Sequence, residues 1–251
     1  MKALVTGASS GIGRDIARVL SNMGYDIIAV ARDGVKLNEL KEELKTKVEI
    51  IALDLEDPEN CKELYKTVKN KNIDVLVNNA GFGEFGEFTT TNLDKEISMI
   101  NTNITAVHIL TKLFLQDFVK KDKGYILNVA SIAGFMPGPL MATYYSTKSY
   151  IVRLTESIYT ELKKKKSHVS VSVLCPGPVA TNFNNVAGVK FNLKSMSSEY
   201  VARYALKNMF KHKLIILPGI KIKLARVLAK ISPDKLTARV CYHMQEKKKG
   251  R

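Results

Sequence analysis

Hydrophobic residues along the chain fall in short, nearly continuous runs that alternate with longer segments of helical periodicity. Runs rich in Val, Ile and Leu predict strands covered on both faces: Lys2–Thr6, Asp26–Ala31, Val48–Ala52, Val75–Asn78, Gly124–Val129, Val169–Leu174 and Lys213–Leu217. The segments between them predict helices near 11–23, 33–45, 58–70, 93–120, 142–166 and 198–211. Such alternation implies βαβ units with right-handed crossovers. We therefore expect one α/β domain over 1–251, a doubly wound sheet of about seven strands, mostly or all parallel.

The alternation ends near residue 219, and the pattern then predicts two short helices over 220–231 and 233–246. Ser232 and Pro233 supply an N-cap and a first-turn proline for the second helix. The first helix carries an apolar stripe, with four basic residues beside it: Ile222, Leu224, Val227, Leu228, Ile231 and Lys221, Lys223, Arg226, Lys230. We favour packing of this stripe on its own domain or on a second subunit. Contact with a membrane surface is the alternative.

Composition is that of a globular protein, with 45% hydrophobic and 25% charged residues. No apolar run approaches the length of a membrane span. The first predicted strand leaves no room for a leader segment. Cys61, Cys175 and Cys241 are scattered without metal-ligand spacing, which favours reduced thiols, a cytoplasmic location and no bound metal.

The charge is concentrated near the C-terminus. Residues 190–251 hold 16 Lys and Arg against three acidic residues, a net charge of +13 out of the total of +15. Such a segment could attract anionic lipid, nucleic acid or an acidic partner. No DNA- or RNA-binding motif accompanies the charge, so we do not expect nucleic-acid binding.

A glycine turn follows the first predicted strand and precedes the first predicted helix. Its spacing is Gly-x-x-x-Gly-x-Gly, and a strand, turn and helix in this order form a Rossmann-type dinucleotide site. Amides at the helix N-terminus point at the pyrophosphate, whose charge the helix dipole favours. The predicted contacts are Gly7, Ser9, Ser10, Gly11, Ile12 and Gly13.

Residues after the next strands predict the rest of the cofactor site. Arg32 directly follows the second strand, where an arginine suits the 2′-phosphate of NADP and an acid would suit the ribose of NAD. Asp33 could bind the ribose or pair with Arg32, and on balance NADP is favoured over NAD. Asp54, followed by Leu55, could accept a hydrogen bond from adenine or belong to a helix start. Further contacts are predicted at Asn79, Ala80 and Gly81.

Three side chains predict proton chemistry at a carbonyl group. Tyr144 and Lys148 are four residues apart at a predicted helix start, so they project from one face. An ammonium beside the phenol, together with an oxidised nicotinamide ring, would lower the pKa of Tyr144 and make it an acid and base. Ser131 can stabilise the same substrate oxygen. Tyr145 is assigned to packing or to the substrate wall.

A rigid turn follows the sixth strand, at the same edge of the sheet. The run from Cys175 to Thr181 holds two prolines and a glycine, which fix its conformation. Thr181 could bind the nicotinamide carboxamide. The predicted cofactor contacts in this turn are Pro176, Gly177, Val179 and Thr181.

These motifs, in this order from residue 2 to about 217, resemble the short-chain dehydrogenases/reductases of about 250 residues. The resemblance implies delivery of the 4-pro-S hydride and an Asn in the fourth helix that relays protons from Lys148. Asn103 fits that position, with Asn101 as the other register. It also implies dimers or tetramers formed through the fourth and fifth helices.

We therefore expect an NADP(H)-dependent oxidoreductase that interconverts a ketone and a secondary alcohol. Residues 212–251 resemble family members that act on steroid-like or long-chain acyl substrates. A lid over about 182–196 combines apolar residues with lysines, which suits an apolar substrate that bears an acidic group: Phe183, Val186, Val189, Phe191, Lys190 and Lys194. The alternative is a catalytically silent NADP-binding sensor or scaffold that acts through the basic tail.

Overall fold

A computed structural model describes residues 1–181, 183, 187 and 195–246. Its main sheet has seven strands, all parallel, in the order β3-β2-β1-β4-β5-β6-β9. A small parallel pair, β7-β8, joins the turn after β6 to the segment before the next helix. The strands are β1 Lys2–Thr6, β2 Asp26–Ala31, β3 Val48–Ala52, β4 Val75–Asn78, β5 Tyr125–Val129, β6 Ser170–Leu174, β7 Val179–Ala180, β8 Met196–Ser197 and β9 Ile215–Ile216.

The α-helices follow the strands as predicted. In the described part of the chain they are α1 Gly11–Asn22, α2 Gly34–Glu43, α3 Pro58–Val68, α4 Leu93–Ile100, α5 Ala106–Lys121, α6 Ala142–Lys164, α7 Ser198–Met209, α8 Ile220–Ile231 and α9 Asp234–Glu246. Side chains cap several of them by accepting a hydrogen bond from a first-turn amide. The capping residues are Asp33 for α2, Asp57 for α3, Asn92 for α4 and Ser197 for α7.

The predicted doubly wound parallel sheet is confirmed, and the strand bounds agree within a residue or two. One predicted helix, 93–120, is interrupted. Residues Asn101–Thr105 form a π-helical turn between α4 and α5, in which the Ala106 amide donates to Asn101 O, five residues back. Such widened turns often lie at functional sites. Here the turn holds Asn103, which is fully buried.

Two apolar layers cover the two faces of the sheet. Because successive strand residues point to opposite faces, Ala3 and Val5 of β1 join one layer and Leu4 joins the other. The first layer packs under α1, α2 and α7, and the second packs under α3 and α5. The sheet is therefore buried on both sides, as its continuous hydrophobic strands predict.

A buried polar cluster links the ends of two central strands to the helices that cover them. Asn78 Nδ2 donates to Asn128 Oδ1 at 2.9 Å and to Thr111 Oγ1 at 3.0 Å. Asn128 Nδ2 donates to Thr155 Oγ1 at 3.0 Å. Asn78 Oδ1 has no hydrogen-bond partner among the described residues, but the bonds that form still favour one arrangement of the elements. The cluster ties β4 and β5 to α5 and α6 beside the cleft described below.

The two C-terminal helices form where they are predicted, but the stripe on α8 does not pack as expected. Only Ile222 of the stripe packs against a buried cluster of the domain. Leu224, Val227, Leu228 and Ile231 are each at least half exposed. Packing on the chain's own domain was thus the wrong interpretation for most of the stripe. None of the helices in the described ranges is long and apolar enough to cross a membrane.

Candidate active site

A cleft of about 440 Å³ lies over the carboxyl ends of the central strands. The chain leaves β1 toward β2 on one side and reaches β4 on the other, so the strand order reverses between β1 and β4. Open α/β sheets bind ligands at such a switch point. Residues from the glycine turn, from Arg32 and from the Tyr144 helix line this one cleft.

The glycine turn has the geometry that close approach to a phosphate requires. Gly7 adopts φ +63°, a conformation that side chains disfavour. A Cβ at Gly13 would lie 2.3 Å from Gly7 O and 2.4 Å from Asn79 Nδ2, so only glycine lets α1 approach β1 this closely. The predicted turn residues Ser9, Ser10, Gly11 and Ile12 line the cleft. The N-terminus of α1 therefore opens into it.

Asn79 holds this turn in place from the end of β4. Its side-chain amide donates to Thr6 O at 3.1 Å and to Gly7 O at 3.2 Å. Its backbone amide donates to Thr6 Oγ1 at 2.9 Å. Asn79, Ala80 and Gly81 line the cleft, and the side chain of Asn79 is engaged with the protein itself.

The far end of the cleft combines two cations with two acids. Arg32 Nη1 lies 3.7 Å from Asp54 Oδ2, and both side chains are exposed. Asp33 does not pair with Arg32, because it caps α2 and bonds Lys36 Nζ at 3.0 Å. Asp54 Oδ1 accepts from the Glu56 amide at 3.0 Å, and the helix start belongs to Asp57 instead. Leu55 lines the same end.

Ser131, Tyr144 and Lys148 converge in the middle of the cleft. Ser131 follows β5, and its hydroxyl accepts from the Ala133 amide at 3.2 Å and hydrogen-bonds Tyr144. Tyr144 and Lys148 lie on the first turns of α6, and both are buried. Lys148 Nζ donates to Val129 O at 3.0 Å and lies 5.8 Å from the centre of the Tyr144 ring.

Burial controls the protonation of this group in the protein alone. Desolvation raises the pKa of Tyr144 to about 12, although the hydrogen bond with Ser131 opposes the rise. Desolvation lowers the pKa of Lys148 to about 8. The prediction that Lys148 and an oxidised nicotinamide ring together lower the pKa of Tyr144 concerns the cofactor-bound protein, and it stays a prediction.

Asn103 lies next to this group without touching Lys148. Its Nδ2 donates to Phe82 O at 2.9 Å and to Thr147 Oγ1 at 3.1 Å, and its Oδ1 accepts from the Phe82 amide at 3.0 Å. These bonds use both hydrogens of the side-chain amide and fix the loop after β4 over α6. Asn101 lies at the start of the π-helical turn. The proton relay at Asn103 stays a prediction.

The turn after β6 forms the side of the cleft opposite the glycine turn. Pro176 O accepts from the Ile132 amide at 2.9 Å, which fixes the turn against Ser131. Pro176, Gly177, Val179 and Thr181 all line the cleft. The Thr181 side chain would lie 2.9 Å from a Cβ at Gly11, so the two turns are in close contact.

Several residues of the cleft carried no sequence signal. Gln245 of α9 reaches it from 100 residues away and donates from Nε2 to Tyr145 Oη at 2.6 Å. Phe183, by contrast, belongs to the predicted lid, and its ring packs on the Tyr144 ring at 5.3 Å between ring centres. Lys36 joins Arg32 at the far end. Of the predicted lid, Val186, Val189, Lys190, Phe191 and Lys194 lie outside the described residues.

The fold and the cleft define a class of protein. A glycine turn and helix N-terminus for a dinucleotide share one cavity with a Ser, Tyr and Lys group that can exchange a proton with a carbonyl oxygen. Together they define a nucleotide-dependent oxidoreductase of the Rossmann type. No cluster of metal-binding side chains occurs in the ranges that the structure covers.

Comparisons with known proteins identify the family. The model of the family described as short chain dehydrogenase matches residues 1–190. An uncharacterized oxidoreductase of Staphylococcus epidermidis is 35% identical over 181 residues, 71% of this chain and 78% of that protein. The human very-long-chain 3-oxoacyl-CoA reductase is 32% identical over 215 residues, 82% of this chain and 68% of that protein.

A solved structure supports the same assignment. The short-chain dehydrogenase from Sphingobium yanoikuyae in complex with NADPH has a TM-score of 0.81 and 28% identity, covering 92% of this chain and 96% of that one. The chain therefore belongs to the short-chain dehydrogenase family. It is an oxidoreductase that acts on a carbonyl or alcohol group.

Proposed function

We propose that the protein is an NADP(H)-dependent reductase that interconverts a ketone and a secondary alcohol on a lipophilic substrate. The observation that carries this proposal is the convergence of Ser131, Tyr144 and Lys148 in the cleft that the glycine turn opens into. NADPH, when bound, supplies the hydride. The residues of the chain hold the carbonyl and provide the proton.

Tyr144 is the proton donor in reduction. Because burial keeps its pKa near 12, the phenol is protonated throughout the neutral range and is ready to donate to the carbonyl oxygen. Ser131, which hydrogen-bonds the phenol, donates to the same oxygen and stabilises the charge that develops there. Lys148 binds the nicotinamide ribose and resupplies the proton, with Asn103 fixing the neighbouring loop.

The charges at the far end support NADP over NAD. Asp33 and Asp54 each accept a hydrogen bond from the backbone, and Asp33 also pairs with Lys36. Arg32 has a loose contact of 3.7 Å with Asp54 and an exposed guanidinium. A guanidinium that is held so weakly can turn to a phosphate, for which it is the preferred partner. The structural relative in complex with NADPH agrees with this choice.

The substrate side supports an apolar ligand. Met141 and Tyr144 belong to one apolar cluster, against which Tyr145, Phe82 and Phe183 also pack. A wall of this kind excludes water from the reacting carbonyl and binds hydrocarbon. A steroid-like ketone or a long-chain 3-oxoacyl thioester fits such a wall, and the name of the human relative favours the acyl class. The chain would assemble into dimers or tetramers through the helices predicted at 93–120 and 142–166, which are α4 with α5 and α6.

Two matched variants test the reaction. Tyr144→Phe removes the donor hydroxyl, and we expect kcat to fall at least about a hundredfold while the Kd of NADPH changes little. Tyr145→Phe removes the neighbouring hydroxyl and should retain most of the activity. The assay is loss of NADPH absorbance against ketosteroids, 3-oxoacyl thioesters and small diketones. Equal activity of wild type and Tyr144→Phe would overturn the mechanism.

The same assay separates the rival function. A catalytically silent sensor or scaffold would bind NADPH tightly, turn over no substrate and lose its effect in cells when the charge of the tail is reversed. The intact Ser131, Tyr144 and Lys148 group favours the reductase. Turnover with NADH alone would retain the mechanism and overturn the assignment of Arg32.

A further inference from the structure

Helix α8 has two apolar sides, and only one of them packs against other described residues of the chain. Ile222 packs beside Gly177 and against a buried cluster, while Arg226 lies 5.0 Å from the centre of the Phe135 ring. Ala225 and Ala229 are half-buried on the same side. These contacts hold one side of α8 on the domain.

The opposite side of α8, called here the outer face, is exposed. Its residues are between 50% and 77% exposed: Ile220, Leu224, Val227, Leu228 and Ile231. At about 100° per residue these five positions lie within an arc of roughly 100°. Isolated exposed apolar side chains are ordinary, but five on one helix face form a patch that needs a partner.

Basic residues border the outer face along both edges. Lys221 lies on the edge next to Leu228, and Lys223 and Lys230 lie on the other edge, all three exposed. The helix contains no acidic residue. An apolar strip between two rows of lysines is the arrangement of helices that lie in a membrane interface, where each ammonium reaches the headgroups.

Helix α9 also presents an apolar ridge, although unlike α8 it contains two acidic residues, Asp234 and Glu246. Its buried side holds Cys241 and Gln245, whereas Leu236, Val240 and Met244 form a ridge about half exposed. Lys235 and Arg239 are exposed on the same helix, and three further lysines follow it in the sequence. Both helices are thus anchored by one side and present apolar and basic residues on the other.

We propose that α8 and α9 dock on an anionic lipid surface, with the outer face of α8 at the level of the headgroups. Charge complementarity selects this partner. A symmetric contact between two copies would set the same patch against itself and bring the lysine rows together. Negative headgroups instead neutralise the net charge of +13 that residues 190–251 carry.

Vesicle co-sedimentation of the full chain tests the proposal. We expect binding to phosphatidylcholine vesicles in which about one lipid in three is phosphatidylglycerol. Binding to pure phosphatidylcholine should be at least about tenfold weaker, and added salt should weaken binding to the anionic vesicles. Failure of the wild-type protein to sediment with anionic vesicles at low salt would overturn the proposal.

Paired variants test whether vesicle binding depends on the outer face or is nonspecific adsorption. Leu224→Ser with Leu228→Ser, and separately Lys223→Gln with Lys230→Gln, should each lower vesicle binding at least about tenfold. The controls remove equally exposed groups elsewhere: Phe88→Ser with Leu93→Ser, and Lys112→Gln with Lys164→Gln. Equal binding by a variant and its control would overturn the proposal. Unchanged far-UV circular dichroism and thermal unfolding must accompany each comparison.

Light scattering tests the alternative partner of the outer face, which is a second copy of the chain. If the wild type is an oligomer without lipid and Leu224→Ser with Leu228→Ser dissociates it, the outer face is a contact between copies, and the proposal fails. An oligomeric state that is the same in both proteins, together with lost vesicle binding in the variant, supports the lipid surface.

Discussion

The buried ammonium of Lys148 should lower the free energy of unfolding of the protein. This ammonium is buried and donates to Val129 O, and no ion pair to it occurs within the described residues. Burial lowers its pKa from 10.5 to about 8. Between those two pH values the unfolded chain binds the proton more tightly than the folded one. Stability contributed by this side chain therefore rises as the pH increases through this window.

The size of the effect follows from the two pKa values. A difference of about 2.5 units corresponds to roughly 3 kcal/mol of destabilisation at pH 7, when the ammonium is charged in both states. Raising the pH to about 9.5 relieves about 2 kcal/mol of this. Lys148→Met removes the titrating group. The free energy of unfolding of the wild type minus that of the variant should therefore rise by about 2 kcal/mol between pH 7 and 9.5. The comparison cancels every other group that titrates.

Urea unfolding followed by far-UV circular dichroism measures this difference, because the chain has no tryptophan to report by fluorescence. Wild type and variant are compared at pH 7 and 9.5, without cofactor and at equal protein concentration, since association would shift both. Lys164→Met, at an exposed position of the same helix, is the control and should show no pH-dependent difference. A wild-type-minus-Lys148→Met difference that is constant with pH would refute the reasoning.

Three further substitutions have expected outcomes. Gly13→Ala places a Cβ 2.3 Å from Gly7 O, so it should destabilise the protein by about 2 kcal/mol or more in urea unfolding and weaken NADPH binding. Gln245→Leu removes the bond to Tyr145, so the KM for a lipophilic ketone should change severalfold while the Kd of NADPH stays constant in a fluorescence titration. Arg32→Ala should raise the KM of NADPH about tenfold or more and leave that of NADH within about threefold, and equal changes would contradict the assignment.

The fold was predictable because its signals are local. Buried parallel strands are nearly continuous in hydrophobicity, and the observed sheet is parallel and doubly wound, as predicted. The edge strand β9 is shorter than predicted, with two residues, Ile215–Ile216, instead of five. The π-helical turn around Asn103 was not predicted, and the bonds that Asn103 makes with Phe82 are tertiary contacts that the local sequence does not show.

In the candidate site, too, local motifs were predictable from the sequence, whereas features that depend on tertiary contacts were not. The glycine turn and the Tyr144 helix start are short motifs, so the sequence located the residues that surround the cleft. The pKa of Tyr144 in the protein without cofactor is raised by burial, and a local motif does not show how deeply a side chain will be buried. Gln245 lies 100 residues from the tyrosine that it contacts, and a lone glutamine near the end of a basic helix gives no sign of that contact.

The C-terminal helices were predicted correctly, but the sequence did not show which of their apolar residues pack on the domain. The sequence predicted α8 and its apolar stripe, but it grouped Ile222 with Leu224, Val227, Leu228 and Ile231 as one face. On the helix Ile222 lies on the far side from the other four, because two residues advance the direction by about 200°. Ile222 therefore anchors the helix to the domain, and that anchor is what turns the rest outward. A stripe that had packed inward would have buried these four residues. Their exposure, between lysines, makes an external partner the better account of the basic C-terminal segment.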